Sequence, residues 1–490
     1  MSAREKWRKA AGLLLVVLIL TLCATPQFRN FIAFPDHVRL PLGQAQDLAL
    51  GIPLGTTVQA NTTGGLSLDG TDLGWSRRLV PGAPFSIAAL QTGQYTVDFK
   101  LFGLIPIRRM TVDVVPPVRV IPGGHSIGVQ LKSRGVMVVG YAAVRDQLGS
   151  LRHPGKDAGI QLGDAIVEID GHPVNGEDHA AILFEAAGRS GKPVPVVVRR
   201  QGKLVERLVS PVRERDSNRW RVGLYIRDGA SGIGTLTFYD PVSGKYGALG
   251  HVIADGETSQ AIEFATGHIS SAEVIKIQRG KRSAPGEKIG SSMGSDARMG
   301  VIEKNTRFGI FGTISGSPAQ PLYPEPIPAA MASQVREGPA EILTVLSGQK
   351  IERFQVEILR VMRQPTAEGK NMIVRVTDPR LLQEAGGIVQ GMSGSPIIQD
   401  GKIVGAVTHV FVNDPTRGYG VLIEWMLQEA GLLKSNKSGT SLREVLLPGG
   451  LLCSGNVLVT RPPVYSSRDY LPWKRLTALG RVGRMGVAGK

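Results

Sequence analysis

Across most of its length this chain alternates short apolar runs with turns that carry glycine, proline or asparagine, and that rhythm limits what it can fold into. Residues 38–43, 57–60, 95–102, 233–239, 272–277 and 357–361 all read as strands, while 61–65, 81–82 and 241–244 read as turns. Runs this short build sheets. Glycine at 62 positions and only 6% aromatic residues favour a mainly β architecture over helical bundles. The length of 490 residues is enough for two to four domains, and 42% hydrophobic with 20% charged residues excludes general disorder.

The first thirty residues differ from the rest. Arg4, Lys6, Arg8 and Lys9 precede an apolar run over 10–24, the pattern of an export signal or signal-anchor that keeps its basic end inside. Residues 1–30 are therefore expected to be a membrane anchor and the body to be exported. The net charge of +16 points the same way, to an anionic membrane surface, since no nucleic-acid motif accompanies it. Two cysteines, Cys23 and Cys453, lie at opposite ends and predict no disulfide, and no zinc-protease or other metal-ligand spacing occurs. Neither a metal nor a cofactor is expected. The divisions that follow are a small β domain over 35–117, ending at Pro116-Pro117; an α+β unit over 118–212; a second β-rich unit over 220–433; and a basic tail over 434–490 without clear periodicity.

The chemistry centres on Gly391-Met392-Ser393-Gly394-Ser395-Pro396, set between two strand-like runs. A hairpin turn uses such residues too. A serine in a glycine-rich turn, however, lets a substrate carbonyl approach, and the turn's N–H groups can converge on an oxyanion. His251 follows a strand and hairpin among small residues, where an imidazole is suited to act as a base near neutral pH. His268 and His409 lie in strand-like runs and read as structural. Asp378 closes the strand 372–377 just before Pro379 and is the carboxylate best placed to orient the base; Asp255 reads as a turn cap. The hexapeptide does not fit G-x-S-x-G, because Ser395 stands where the last glycine belongs. Ser315-Gly316-Ser317-Pro318 repeats part of it without the Gly-Met lead and reads as a structural turn.

The α+β unit resembles a PDZ domain in two places. Ser126, Ile127, Gly128 and Val129 stand in place of the carboxylate-binding loop, and residues 157–174 match the longer core pattern. That resemblance implies a peptide adding to the strand edge at 129–131, with a helix over 177–187 as the other wall of the groove.

Taken in order, an exported anchor, a PDZ-like unit, Gly250-His251, Thr377-Asp378 and the hexapeptide with its context to Gly420 resemble the SpoIVB peptidase family of spore-forming bacteria. The resemblance implies a chymotrypsin-like double β-barrel serine protease with His251 as base, Asp378 as orienter and Ser393 as nucleophile, and with the N–H groups of Gly391 and Ser393 as the oxyanion hole. Met392 replaces the aspartate of the trypsin-type hexapeptide, so activation through a new N-terminus is not expected. The family further implies self-cleavage, then cleavage of a membrane-bound regulator in the space between forespore and mother cell, with release of the body from its anchor as a variant. The rival readings are a non-catalytic, membrane-tethered PDZ adaptor and an HtrA-type quality-control protease, the latter with the opposite domain order.

Overall fold

A computed structural model describes residues 36–48, 55–80, 85–254, 261–292, 297–316, 318–362 and 369–434, with isolated positions 7, 12 and 21. The anchor expected over 1–30, the tail from 435, both cysteines, Asp255 and Ser317 lie outside the described residues. Among the described residues no helix is long and apolar enough to cross a membrane.

The protein is mainly β. Residues 37–115 form two sheets, one of five strands and one of four, closed over their own apolar core. Strict alternation makes this possible. In Thr56–Ala60 and Phe85–Ala89 every second residue is buried, so each strand turns one face to the core. The first strand, His37–Pro41, pairs in parallel with Ile105–Val115. Its Arg39 leaves the unit and ion-pairs with Glu424 on helix Ile423–Glu429, both side chains being buried. Glu424 also accepts the Ala332 N–H, and Ser333 donates to the Arg39 carbonyl.

A thirteen-stranded sheet comes next, and two of its strands are shared between units. In its first half, Ser126–Tyr141 pairs with Leu224–Tyr239 on one side and Phe264–Gln278 on the other. In its second half it still pairs with Leu224–Tyr239, but the other neighbour is Ala165–Ile169. A separate apolar core lies over that second half, with Phe184 of helix Glu177–Gly188 packed into it and Ile182 exposed.

This arrangement corrects the expected peptide-binding loop. Ser126, Ile127, Gly128 and Val129 are not a loop; they are strand, paired on both edges from Ile127 onward, so no peptide can add there. Gly128 is needed for strand packing, because a Cβ would come within 2.8 Å of Ser270 Oγ and 2.9 Å of Ser292. The edge beside the helix belongs to the first half of Leu224–Tyr239, which carries no second strand partner among the described residues. There Glu177 accepts the Asp228 N–H and Glu185 accepts the Trp220 N–H.

The last unit is a closed six-stranded barrel, ordered Gly338–Val345, Ile351–Val361, Met372–Val376, Asp414–Leu422, Lys402–Phe411 and Pro396–Gln399. Strands Lys245–Ala248, Arg298–Thr306 and Gly309–Ile314 of the large sheet hold the segment that carries His251. The two layers meet at the hexapeptide.

Candidate active site

The hexapeptide forms the turn that leads into Pro396–Gln399. Two glycines make it possible. Gly391 has φ +92° and Gly394 φ +95°, a region that side chains disfavour. A Cβ on Gly394 would also lie 2.1 Å from the Thr235 carbonyl oxygen and 2.5 Å from the Leu249 nitrogen. Met392 is fully buried in the barrel core, where an aspartate would be a bare charge.

Strand Leu224–Tyr239 clamps this turn from behind. The Thr235 N–H donates to the Ser393 carbonyl at 3.0 Å, and Thr235 Oγ1 donates to the Gly391 carbonyl at 2.7 Å. Thr237 Oγ1 donates to the Gly394 carbonyl at 2.8 Å. Thr235 also accepts the Leu249 N–H, two residues before His251, so one buried threonine ties the serine turn to the histidine segment. Leu249 is itself fully buried at φ +69°, a strained conformation for a leucine, and Gly250 follows at φ +72°.

The turn's own N–H groups divide cleanly. Those of Gln390, Met392, Gly394 and Ser395 donate to Gly286, Val389, Val407 and Met392 carbonyls. Those of Gly391 and Ser393 have no acceptor among the described residues.

His251 and Ser393 meet the same strand, Lys402–Phe411. Ser393 Oγ donates to the Thr408 carbonyl at 2.6 Å. The His251 ring lies against the ring of the next residue, His409, with centroids 4.9 Å apart. His251 Nδ1 stands 2.9 Å from the Val252 carbonyl. A carbonyl only accepts, so Nδ1 carries the proton and Nε2 is left with its lone pair. Burial pulls the His251 pKa below its ordinary value, against a smaller opposing effect of the Val252 bond. Burial drives His409 well below, helped by the charges of His251 and Lys370.

Asp378 is placed elsewhere. It is the N-cap of helix Pro379–Glu384, accepting the Leu381 N–H at 3.0 Å and the Gln355 N–H at 3.3 Å. One oxygen is committed to this cap and the other to Gln355, while His251 Nδ1 donates to the Val252 carbonyl. Pro379 at the first helical position explains the choice: the Asp-Pro pair is a helix start as readily as a strand end. In Ser315-Gly316-Ser317-Pro318, the glycine lies in a turn at φ +82° by the Ala297–Gln320 surface cavity, away from the hexapeptide. Among the described residues no cluster of His, Cys, Asp or Glu is arranged to hold a metal.

Residues 218–427 match the model of the family described as SpoIVB peptidase S55. That segment is a SpoIVB peptidase S55 domain. The chain is accordingly a serine peptidase, and the S55 domain spans the clamp strand, the histidine segment, the barrel and the hexapeptide. Among solved structures, the Rv3671c protease of M. tuberculosis in its active form is 15% identical; the match covers 41% of this chain and 75% of that one, with a TM-score of 0.23. The HtrA-type protease AlgW with a decapeptide is 11% identical over 44% of this chain and 57% of its own, with a TM-score of 0.25. No curated protein matches the sequence.

Sequence reasoning missed Thr235, Thr237 and His409 as residues packed around the candidate site. The first two carry no signal in the sequence, because their partners lie more than 150 residues away. His409 gives only a weak one, a histidine within a strand just after the hexapeptide hairpin.

Proposed function

We propose that Ser393 is the nucleophile of an endopeptidase, His251 its general base, and the N–H groups of Gly391 and Ser393 its oxyanion hole. One observation carries this reading: in the glycine turn around Ser393, two N–H groups lack an acceptor among the described residues, and they are the two a developing oxyanion would use. Ser393 Oγ exchanges its bond to Thr408 for attack on the scissile carbonyl, and His251 Nε2 receives the proton. The Val252 carbonyl keeps the imidazole in that tautomer and stabilises it once charged. His251 later returns the proton to the leaving amine.

The match to SpoIVB peptidases, with the basic and apolar N-terminus, supports a role in sporulation signalling. In that role the chain is exported but membrane-held between forespore and mother cell; it cleaves itself and then a membrane-bound regulator. A peptide presented by the α/β unit would add along the first half of Leu224–Tyr239, beside helix Glu177–Gly188, taking the Asp228 N–H from Glu177.

A fluorophosphonate probe tests the reading. The wild-type chain is expected to be labelled at one residue, and Ser393→Ala and His251→Ala are expected to lose both label and peptide cleavage while keeping the wild-type circular dichroism spectrum. Undiminished cleavage by Ser393→Ala overturns it.

A further inference from the structure

Beneath the nucleophile turn lies a charge that this mechanism leaves unused. Lys288, on strand Glu287–Ser292, is only 2% exposed. Its N–H donates to the Gln390 carbonyl at 2.9 Å, which fixes it alongside the turn. Its methylenes lie under Gly391, where a Cβ would sit 3.0–3.2 Å from Lys288 Cβ, Cγ and Cδ. Its Nζ donates to Thr344 Oγ1 at 2.7 Å.

Among the described residues no carboxylate answers this ammonium. On strand Phe264–Gln278 the residue across from it is Ile277. Within the turn Met392 is apolar, and Gln390 meets the strand through its backbone. On strand Gly338–Val345 the contact is the Thr344 hydroxyl, and Glu352, opposite Thr344, is engaged by Arg380 and Lys350. Glu287 precedes Lys288 on its own strand, and burial raises its pKa, favouring the neutral acid. An ammonium has three donors, and among the described residues this one has a single hydroxyl partner. Burial pulls the Lys288 pKa down to about 7. A methionine of similar volume would fill the site without that cost, so the lysine opposes stability at a place next to the chemistry.

We propose that Lys288 is a positioning residue of the oxyanion turn: its stem sets Gly391, and its ammonium, when protonated, stabilises the negative charge forming at the Gly391 and Ser393 N–H groups. The inference rests on the reading of those two groups as the oxyanion hole. Two consequences have opposite signs. Catalysis gains from the charge, which is present below about pH 7 and lost as pH rises through that value. Stability loses by it. Between about 7 and the ordinary lysine value of 10.5 the folded state binds fewer protons than the unfolded chain, so stability climbs with pH there, and the cost is full below about 7.

The test compares full-length wild type, Lys288→Met and Lys288→Arg by pH profiles of kcat/KM on a peptide substrate, thermal melts, and fluorophosphonate labelling rates. The wild type is expected to give a bell: His251 sets the acid limb, below the ordinary histidine range, and Lys288 the alkaline limb near pH 7. Lys288→Met is expected to lose about tenfold or more in kcat/KM at the optimum, to lose the alkaline limb, and to melt higher than wild type, most clearly below pH 7. Lys288→Arg keeps a charge at all these pH values and is expected to move the alkaline limb upward. A Lys288→Met protein with the wild-type limb and labelling rate overturns the proposal, as does one that melts lower and loses activity only in step with its folded fraction. Failure of the underlying site reading is distinct: the wild type itself then takes no label at Ser393.

Discussion

Thr235 holds three partners with its hydroxyl, its N–H and its C=O: the Gly391 carbonyl, the Ser393 carbonyl and the Leu249 N–H. Because it faces no substrate, its effect is on geometry. Asp378 differs in kind, as its carboxylate caps a helix. The cap role makes a sharp prediction. Asp378→Ala should lower stability by about 0.5–2 kcal/mol, whereas Asp378→Asn, an equally good N-cap, should keep both the melting temperature and kcat. Loss of kcat by the asparagine variant at an unchanged melting temperature would instead assign the carboxylate to catalysis. Urea titration together with steady-state rates decides between them.

Among the elements, the nucleophile turn tolerates least change. Gly394→Ala places a methyl against the Thr235 carbonyl and forces alanine to φ +95°; the backbone term alone is about 1–3 kcal/mol, and the collision adds to it. The expected outcome is a lower melting temperature and loss of fluorophosphonate labelling, while Gly401→Ala, at a hairpin where a Cβ meets nothing within 4 Å, should keep its label. This turn was readable in the sequence because its requirements are local: small residues, positive φ and a serine within six positions. The mainly β architecture was readable for a similar reason, since alternation in stretches such as 56–60 survives as alternating burial. The peptide-binding loop was misread because Ser-Ile-Gly-Val suits a turn and a strand equally. What decided it was the approach of Ser270 and Ser292 to Gly128, a contact across the fold. Lys288 was hidden for the same reason, its burial being created by strands from both layers.

At the scale of the whole molecule, the N-terminal unit is fastened to the barrel through Arg39 and Glu424. With both side chains buried, removing one partner strands the other. Arg39→Met is expected to destabilise by about 3–5 kcal/mol, and Arg39→Met combined with Glu424→Gln to recover much of that, because the orphaned charge is gone while the amide still accepts the Ala332 N–H. Denaturant unfolding of the two variants measures the difference; equal losses would mean that the pair contributes little to the docking.

The shared strands have a mechanical meaning. Ser126–Tyr141 and Leu224–Tyr239 run unbroken from the α/β unit into the sheet that clamps the hexapeptide, and the second of them carries Thr235 and Thr237. Two units joined by a flexible tether tumble independently, and a tug on one dissipates in the slack. Two units joined by shared strands are coupled instead: torque applied at Tyr225 reaches Thr235 ten residues along the same strand, through a ladder interrupted only by the irregularities between Lys132 and Met137 and between Val138 and Gly140.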